Sequence, residues 1–229
     1  MELAIYIDIE GFSIKFENGG KQSYIDLTND LYALGCSQFK YLSIIQFGGD
    51  GVLIKENIFY TNDLRKFIEI SVGLLQIIAL RGGIGRVQIS SGEMADISGL
   101  YNAKIRNELA LGKILLSEHR NIMMVNSVIG TAIIKSYKLK GPKGALLLID
   151  KSLISEEDKE KYIHYNSDDY EVYGINWIKY ESEMTFEMLK TLSLNSKDLT
   201  AKINSYLKEN KPSDEWTRET EKLVSECNF

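Results

Sequence analysis

The sequence predicts an α/β fold, and three observations predict it. Short apolar runs alternate with segments of helical spacing through the first 150 residues. Two of these runs flank the glycine-rich stretch Gly48-Gly49-Asp50-Gly51 and pair as a hairpin across it. The resulting order is strand, helix, strand, turn, strand, helix, strand, helix, strand, the pattern from which helix-covered sheets are built.

Each element follows from a local rule. Leu3-Ala4-Ile5-Tyr6-Ile7 is a buried strand, and Asn18-Gly19-Gly20 is a turn signal. Residues 23–34 have helical character, with Gly35 placed to cap the helix. Residues 41–47 form the second strand, and Val52-Leu53-Ile54 is its hairpin partner. Asn62 or Asp63 caps a helix that carries Leu64, Phe67, Ile68, Leu74, Leu75 and Ile78 on one face. Arg81-Gly82-Gly83 stops it, and residues 86–90 form a strand leading into a small-residue turn at Ser91-Gly92. Residues 96–121 mix helix formers with charges and read as an inserted helix and loop, followed by a short strand at 123–125. Residues 130–139 are helical in spacing, and residues 145–149 are an apolar strand ending at Asp150.

Beyond residue 150 the composition turns charged and aromatic. Residues 170–177 form one more strand, and residues 196–207 form a capped helix with Leu199, Ile203 and Leu207 at four-residue spacing. Ser213 caps a last helix containing Trp216 and Leu223. The chain therefore divides into residues 1–150 and an extension, 151–229, that packs on the core or on a partner chain.

With 229 residues the chain can bury a sizeable core. Its net charge of −5 opposes broad attraction to nucleic acid, though a local basic cluster can bind a nucleotide. Cys36 and Cys227 lie far apart and match no zinc or redox spacing. His119 and His164 have no metal-ligating neighbours at zinc spacing. No run reaches the roughly 20 apolar residues of a membrane span. Few cysteines and no signal peptide point to the cytoplasm, with neither nucleic acid nor membrane as partner.

The chemistry-bearing residues are two aspartates at the ends of apolar runs. Asp8 stands in Ile7-Asp8-Ile9-Glu10-Gly11-Phe12-Ser13, and Asp50 in Gln46-Phe47-Gly48-Gly49-Asp50-Gly51. Taken singly, each is also the residue type that caps a turn. Carboxylates on neighbouring strands can share two divalent cations, which in phosphoryl transfer stabilise both the attacking and the leaving oxygens. Gly11, Gly48 and Gly49 allow backbone to approach a bulky anion. Such oxygen ligands suit magnesium or manganese.

These residues carry a resemblance. Asp8-Ile9-Glu10-Gly11-Phe12-Ser13 resembles the first metal motif of class III nucleotidyl cyclases, and Gly49-Asp50 resembles the second. Residues 87–93 resemble the strand that ends in a small-residue turn. Residues 130–139 resemble the following helix, and residues 145–149 the next strand. The resemblance spans residues 3–150. Arg81-Gly82-Gly83-Ile84, the pattern from Gly130 to Leu139 and Leu146-Leu147-Leu148-Ile149-Asp150 are similar to the small cyclases of Pycsar antiphage systems.

The resemblance implies an α+β sandwich: a mixed sheet of five or more strands flanked by helices, with a mixed C-terminal extension. Residues 1–150 would be the catalytic domain. It implies a pyrimidine nucleotide cyclase that converts UTP or CTP to cyclic UMP or cyclic CMP and pyrophosphate, as an infection signal read by a separate cyclic-nucleotide-sensing effector. It implies two Mn2+ or Mg2+ ions per site, held by Asp8, Asp50 and the Ile9 carbonyl. Backbone around Ile9, Glu10, Gly11 and Phe12 would hold the β- and γ-phosphates, with Gly49 beside them. A homodimer would build composite sites at its interface.

Three positions depart from the family pattern. Gln46 stands where purine cyclases carry a lysine or glutamate, and its amide suits several bases. On the 130–139 helix, the family's asparagine and arginine positions hold Ile134 and Lys138; lysine keeps the charge and loses the bidentate fork. A second alignment places the pair at Asn102 and Arg106, with Asp96 reading the base; the strand at residue 145 favours the first alignment. Otherwise Arg106 is a solvated helix residue. Arg86 either meets phosphate or pairs with a surface carboxylate.

The resemblance leaves alternatives. One is an adenylate or guanylate cyclase of the same fold. Gly48-Gly49-Asp50 also resembles part of the diguanylate cyclase motif, although Gly51 stands where that motif needs an acid. A catalytically degenerate nucleotide-binding regulator is the non-enzyme alternative, favoured by the missing asparagine and opposed by the two aspartates.

Overall fold

The computed structural model describes residues 2–11, 22–37, 42–47, 51–56, 63–111, 115–118, 121–124 and 128–226. Eleven strands are described: β1 (Glu2–Ile9), β2 (Leu42–Phe47), β3 (Gly51–Glu56), β4 (Gly85–Gly92), β5 (Met94–Asp96), β6 (Leu115–Glu118), β7 (Asn121–Met124), β8 (Val128–Gly130), β9 (Leu147–Asp150), β10 (Ile163–Ser167) and β11 (Tyr170–Ile175). The described α-helices are α1 (Gln22–Ser37), α2 (Leu64–Leu80), α3 (Ala103–Ala110), α4 (Thr131–Lys138), α5 (Glu183–Thr191), α6 (Leu199–Asn210) and α7 (Asp214–Ser225).

The expected mixed sheet flanked by helices is what the chain forms. Seven strands run in the order β10-β11-β9-β4-β1-β3-β2. All neighbours are antiparallel except β4 and β9, which are parallel. β1 lies inside the sheet, between β4 and β3, and is apolar on one face along its length. Leu3, Ile5 and Ile7 point into the main core with Val87 and Ile89 of β4. The two-residue period then sends Tyr6 and Asp8 to the opposite face, beside Arg86 and Gln88.

Helix α2 fills the space under the first face. Asp63 caps it by accepting from the Arg65 amide at 3.0 Å. Its residues 67–79, except half-buried Glu69, are buried, polar Ser71 and Gln76 included. Gly73 lets α5 approach: a Cβ there would lie 2.5 Å from the Met188 sulfur. The helix ends as expected at Arg81, followed by Gly82 at φ +82°. Arg81 then ties α1 to α2, donating from Nε and Nη2 to the two carboxylate oxygens of buried Asp30, each at 2.9 Å.

The chain beyond residue 150 continues the same sheet and the same core. β11 pairs with β9. Trp177, Met188, Leu199, Ile203 and Leu223 pack in one cluster with Ile5 and Leu74. The Trp177 indole donates to the Ala145 carbonyl at 2.6 Å, and the buried Gln76 amide donates to the carbonyls of Trp177 and Tyr180.

Several elements differ from expectation. α1 runs through Gly35 to Ser37, whose hydroxyl donates to the Ala33 carbonyl at 2.8 Å and so closes the helix end instead. The 96–121 segment holds helix α3 but also strand β6, which pairs with β7, Leu115 opposite Met124; β7 overlaps the short strand expected at 123–125 and begins two residues earlier. Four-residue strands are too short to show a period in sequence. Ser91-Gly92 lies inside β4, because the chain goes straight on into β5, which pairs with β8. Ser196 opens a short 3-10 turn ahead of α6, and Ser213 precedes α7 without a side-chain cap bond. The turn at 18–20, Tyr41, Asn62, Val125, His119 and Cys227 lie outside the described residues.

Candidate active site

A cleft of ≈ 1220 Å³ opens on the face of the sheet away from α2. Its floor is Tyr6 and Asp8 of β1 with Arg86 and Gln88 of β4. Its walls are α4, the loop at residues 139–143, and Asp169 and Tyr170 from the β10–β11 turn.

The register puts the floor residues side by side: Tyr6 opposite Gln88, and Asp8 opposite Arg86. Asp8 is half-buried at the end of the apolar run, where the strand leaves the core. Arg86 is held from below. Its Nη2 lies 3.5 Å from both the Leu139 and Gly141 carbonyls, the outer limit of a hydrogen bond. Its Nε is buried and has no hydrogen-bond partner among the described residues. Burial pushes the guanidinium pKa below its ordinary value, against the attraction of Asp8, Glu215 and Tyr170. Buried Gln88 donates to the Leu139 carbonyl and so anchors the loop that follows α4.

Helix α4 reaches the cleft because two glycines let it lie against the sheet. A Cβ on Gly92 would stand 2.5 Å from the Ala132 amide, and one on Gly130 would stand 2.7 Å from the Met94 Cα. Ser90 holds the same helix by donating to the Ala132 carbonyl at 2.9 Å. Tyr6 meets Tyr137 edge-on, with ring centroids 5.2 Å apart. The exposed side of α4 presents Ile134, 53% exposed, and Lys138, one turn later, to the cleft.

Among the described residues, four cationic side chains therefore line the cleft: Arg86, Lys138, Lys140 and Lys143. The acids among them are Asp8 and Asp169. This is a locally basic site on a chain of net charge −5. Lys143 also lies 3.8 Å from Glu215 of α7.

The turn after β1 is built as tightly. The Glu10 amide donates to the Ile84 carbonyl at 3.0 Å. The Glu10 carboxylate accepts from the Tyr206 hydroxyl of α6 at 2.5 Å, and its carbonyl accepts from the same hydroxyl at 3.2 Å. Burial and the neighbouring carboxylate both drive the Tyr206 pKa well above that of an ordinary phenol. Gly11 follows at φ +67°, a left-handed conformation that suits glycine.

Of the residues singled out from sequence, the structure brings Asp8, Lys138 and Ile134 into one cleft with Arg86. Arg86 meets that cleft rather than a surface carboxylate. Glu10 and Gly11 sit at the adjoining turn, with Glu10 engaged by Tyr206 and its amide by Ile84. Arg106 is exposed on α3 and does not line the cleft, while Asn102 caps that helix by accepting from the Ile105 amide at 3.1 Å. Gln46 lies opposite Val52 in the β2–β3 hairpin. Phe12, Gly49 and Asp50 lie outside the described residues. Lys140, Lys143, Asp169, Tyr170 and Tyr206 were not singled out. The basic loop Lys140-Gly141-Pro142-Lys143-Gly144 carried a signal for the first two, and nothing local marks Tyr206.

Among the described residues, no group of three or more His, Cys, Asp or Glu side chains forms a metal site. The donors at the end of β1, the Asp8 carboxylate and the Ile9 carbonyl, are hard oxygens. They fit a cation that completes its shell with waters and substrate phosphate. Among the described residues, no helix is long and apolar enough to cross a membrane.

No protein-family model and no curated protein matches the chain. Solved structures with a similar chain path include the adenylyl cyclase CyaB from P. aeruginosa, at 14% identity and TM-score 0.46, covering 80% of this chain and 95% of that one. A bacterial light-regulated adenylyl cyclase is similar at 13% identity and TM-score 0.45, covering 83% of this chain and 57% of that one. The guanylyl cyclase Cya2 is similar at 9% identity and TM-score 0.42, covering 76% of this chain and 91% of that one.

Proposed function

We propose that this chain is a nucleotidyl cyclase that closes a nucleoside triphosphate to its 3′,5′-cyclic monophosphate and releases pyrophosphate. The observation that carries the reading is the Asp8 carboxylate on the floor of a cleft lined by Arg86, Lys138, Lys140 and Lys143. A triphosphate needs cations along its length, and phosphoryl transfer is catalysed mainly by positioning and charge stabilisation.

In the reaction, the ribose 3′-oxygen bonds to the α-phosphorus and the bond from that phosphorus to the β-phosphate oxygen breaks. Pyrophosphate leaves, and the 3′-hydroxyl proton passes to solvent. Two Mn2+ or Mg2+ ions, held by Asp8, Asp50 and the Ile9 carbonyl, would supply charge neutralisation and a more acidic 3′-hydroxyl. Arg86 offers its guanidinium to the phosphates from the floor, and Lys138 offers an ammonium from the wall. As the family resemblance implies, backbone around Ile9, Glu10, Gly11 and Phe12 would hold the β- and γ-phosphates, with Gly49 as a further substrate-binding residue. Gln46 reads the base from β2.

Within this reading the substrate is UTP or CTP, the product is cyclic UMP or cyclic CMP, and the role is antiphage signalling through a separate effector. The resemblance of Arg81-Gly82-Gly83-Ile84, residues 130–139 and Leu146-Leu147-Leu148-Ile149-Asp150 to Pycsar cyclases supports it. A homodimer with composite sites fits the exposed Ile134 and Tyr137 on α4, which a second copy would cover. The first 150 residues are the catalytic domain, and the remainder is an extension that supports it. The protein works in the cytoplasm, with neither nucleic acid nor membrane as a partner. Ile134 favours a second reading, a nucleotide-binding regulator without turnover, because an apolar side chain at the cleft cannot hydrogen-bond a ribose.

The test is incubation of the purified protein with Mn2+ and ATP, GTP, CTP or UTP separately, with products identified by mass spectrometry. Cyclic UMP or cyclic CMP is expected. A cyclic purine product would move the protein to another branch of the same chemistry. Binding of a nucleotide without any product would favour the regulator.

A further inference from the structure

The turn at residues 10–11 is fixed from two sides, and one of them comes from far along the chain. Ile84 takes the Glu10 amide, and Tyr206, 196 residues away, engages both the Glu10 carboxylate and its carbonyl. Tyr206 is only 3% exposed, and its ring packs in the main core with Ile203 and Leu207. The hydroxyl is thus held by a rigid helix and not by a flexible surface arm. A Cβ on Gly11 would lie 3.5 Å from that oxygen, so the turn is seated against the tyrosine.

We infer that Tyr206 is a positioning residue. It fixes the Glu10–Gly11 turn, and through it the orientation of the Asp8 carboxylate and Ile9 carbonyl, so that the C-terminal helices set the affinity of the site for a metal–triphosphate complex. The metal–triphosphate part of this inference rests on the cyclase reading; the fixing of the turn does not.

Asp8 is two residues before the pinned turn, and its side chain leaves the sheet where backbone pairing with β4 ends at Ile9 and Gly85. Beyond that pair, the turn is held by the bonds from Glu10 to Ile84 and Tyr206, among others. Removing one hydroxyl leaves the tyrosine ring's packing and the Ile84 bond in place and loosens the turn on the α6 side.

The experiment uses the full chain as wild type, Tyr206→Phe, Glu10→Ala and the double variant. Binding of Mn2+ with a non-hydrolysable UTP analogue is followed by calorimetry, and hydrogen exchange of the 2–11 segment is followed by mass spectrometry. Tyr206→Phe is expected to raise the dissociation constant about tenfold, with melting temperature nearly unchanged. The double variant is expected to bind no worse than the weaker single variant, because both changes break one linkage. Exchange at the turn is expected to quicken about tenfold in Tyr206→Phe. Wild-type binding and exchange in Tyr206→Phe would overturn the inference, as would additive losses in the double variant. If wild type binds no metal–triphosphate complex, the cyclase reading and the metal part of the inference fall. Faster exchange in Tyr206→Phe would then still uphold its hold on the turn, and unchanged exchange would overturn that too.

Discussion

Asp8 and Arg86 stand directly opposite one another across β1 and β4, and both side chains face the same cleft. The pairing joins a carboxylate suited to a divalent cation with a buried guanidinium whose Nε has no partner among the described residues. A phosphate between them would satisfy the guanidinium and share the cation. On the proposed reading, the site would be organised around an anion carried with its metal.

Asp8→Ala removes the carboxylate proposed to hold the cations while leaving the sheet's apolar face intact. Turnover is expected to fall at least about a hundredfold, since both metal and phosphate lose their anchor. Unfolding free energy should shift by no more than about 1 kcal/mol, because the side chain is only half-buried. Product assays and urea denaturation of the same sample check both halves. The same loss of turnover is expected for Asp50→Ala.

Arg86→Lys keeps the charge and removes the planar fork. Affinity for inorganic tripolyphosphate is expected to fall about tenfold. Lys138→Ala is expected to lower kcat by a similar or larger factor, with a smaller effect on tripolyphosphate binding. Calorimetry separates the two, and equal effects on both quantities would contradict the division of roles.

Gly130→Ala tests how α4 reaches the cleft. The added methyl meets the backbone of Glu93 and Met94, which cannot move without displacing β5. A stability loss of about 1–3 kcal/mol is expected, with nucleotide affinity falling as Lys138 is pushed away. Thermal melts and nucleotide titrations report the two effects.

Glu219 on α7 should give the folded state an acid-sensitive limb. Burial alone would raise its pKa, but hydrogen bonds from Lys222 and Arg218, both at 2.9 Å, outweigh it and hold the value below the ordinary 4.5. A carboxylate depressed in this way adds stability above its unfolded pKa. That stability is lost as pH falls through the lower folded value. Glu219→Gln is therefore expected to flatten the fall in stability below pH of about 4.5 relative to wild type, measured by urea midpoints across the acid range.

The sheet's central strands were legible because their apolar runs are long and sharply bounded. Leu3, Ile5 and Ile7 announce β1, and Val87 and Ile89 announce β4. The α2 helix was legible from its cap, its apolar face and its terminal glycine. Strand β6 was not, since four residues carry no usable period, although its partner β7 was expected in part at 123–125. The extent of α1 was missed because glycine at position 35 suits either a cap or a helix interior. At the site, Asp8, Ile134 and Lys138 were singled out through the family resemblance, and all three line the cleft. Arg86 was visible, but its burial was not, because that depends on a carbonyl loop folding over it from residues 139 to 141. Tyr206 reaches Glu10 across 196 positions, a relation that only the packed helix reveals.

The most direct measurement of the central claim is turnover in water enriched in heavy oxygen, with the nucleotide the protein accepts. Intramolecular attack predicts an unlabelled 3′,5′-cyclic monophosphate and an equal amount of pyrophosphate. A linear, labelled monophosphate would show that water is the nucleophile. That result, or no product with any nucleotide, would contradict the account.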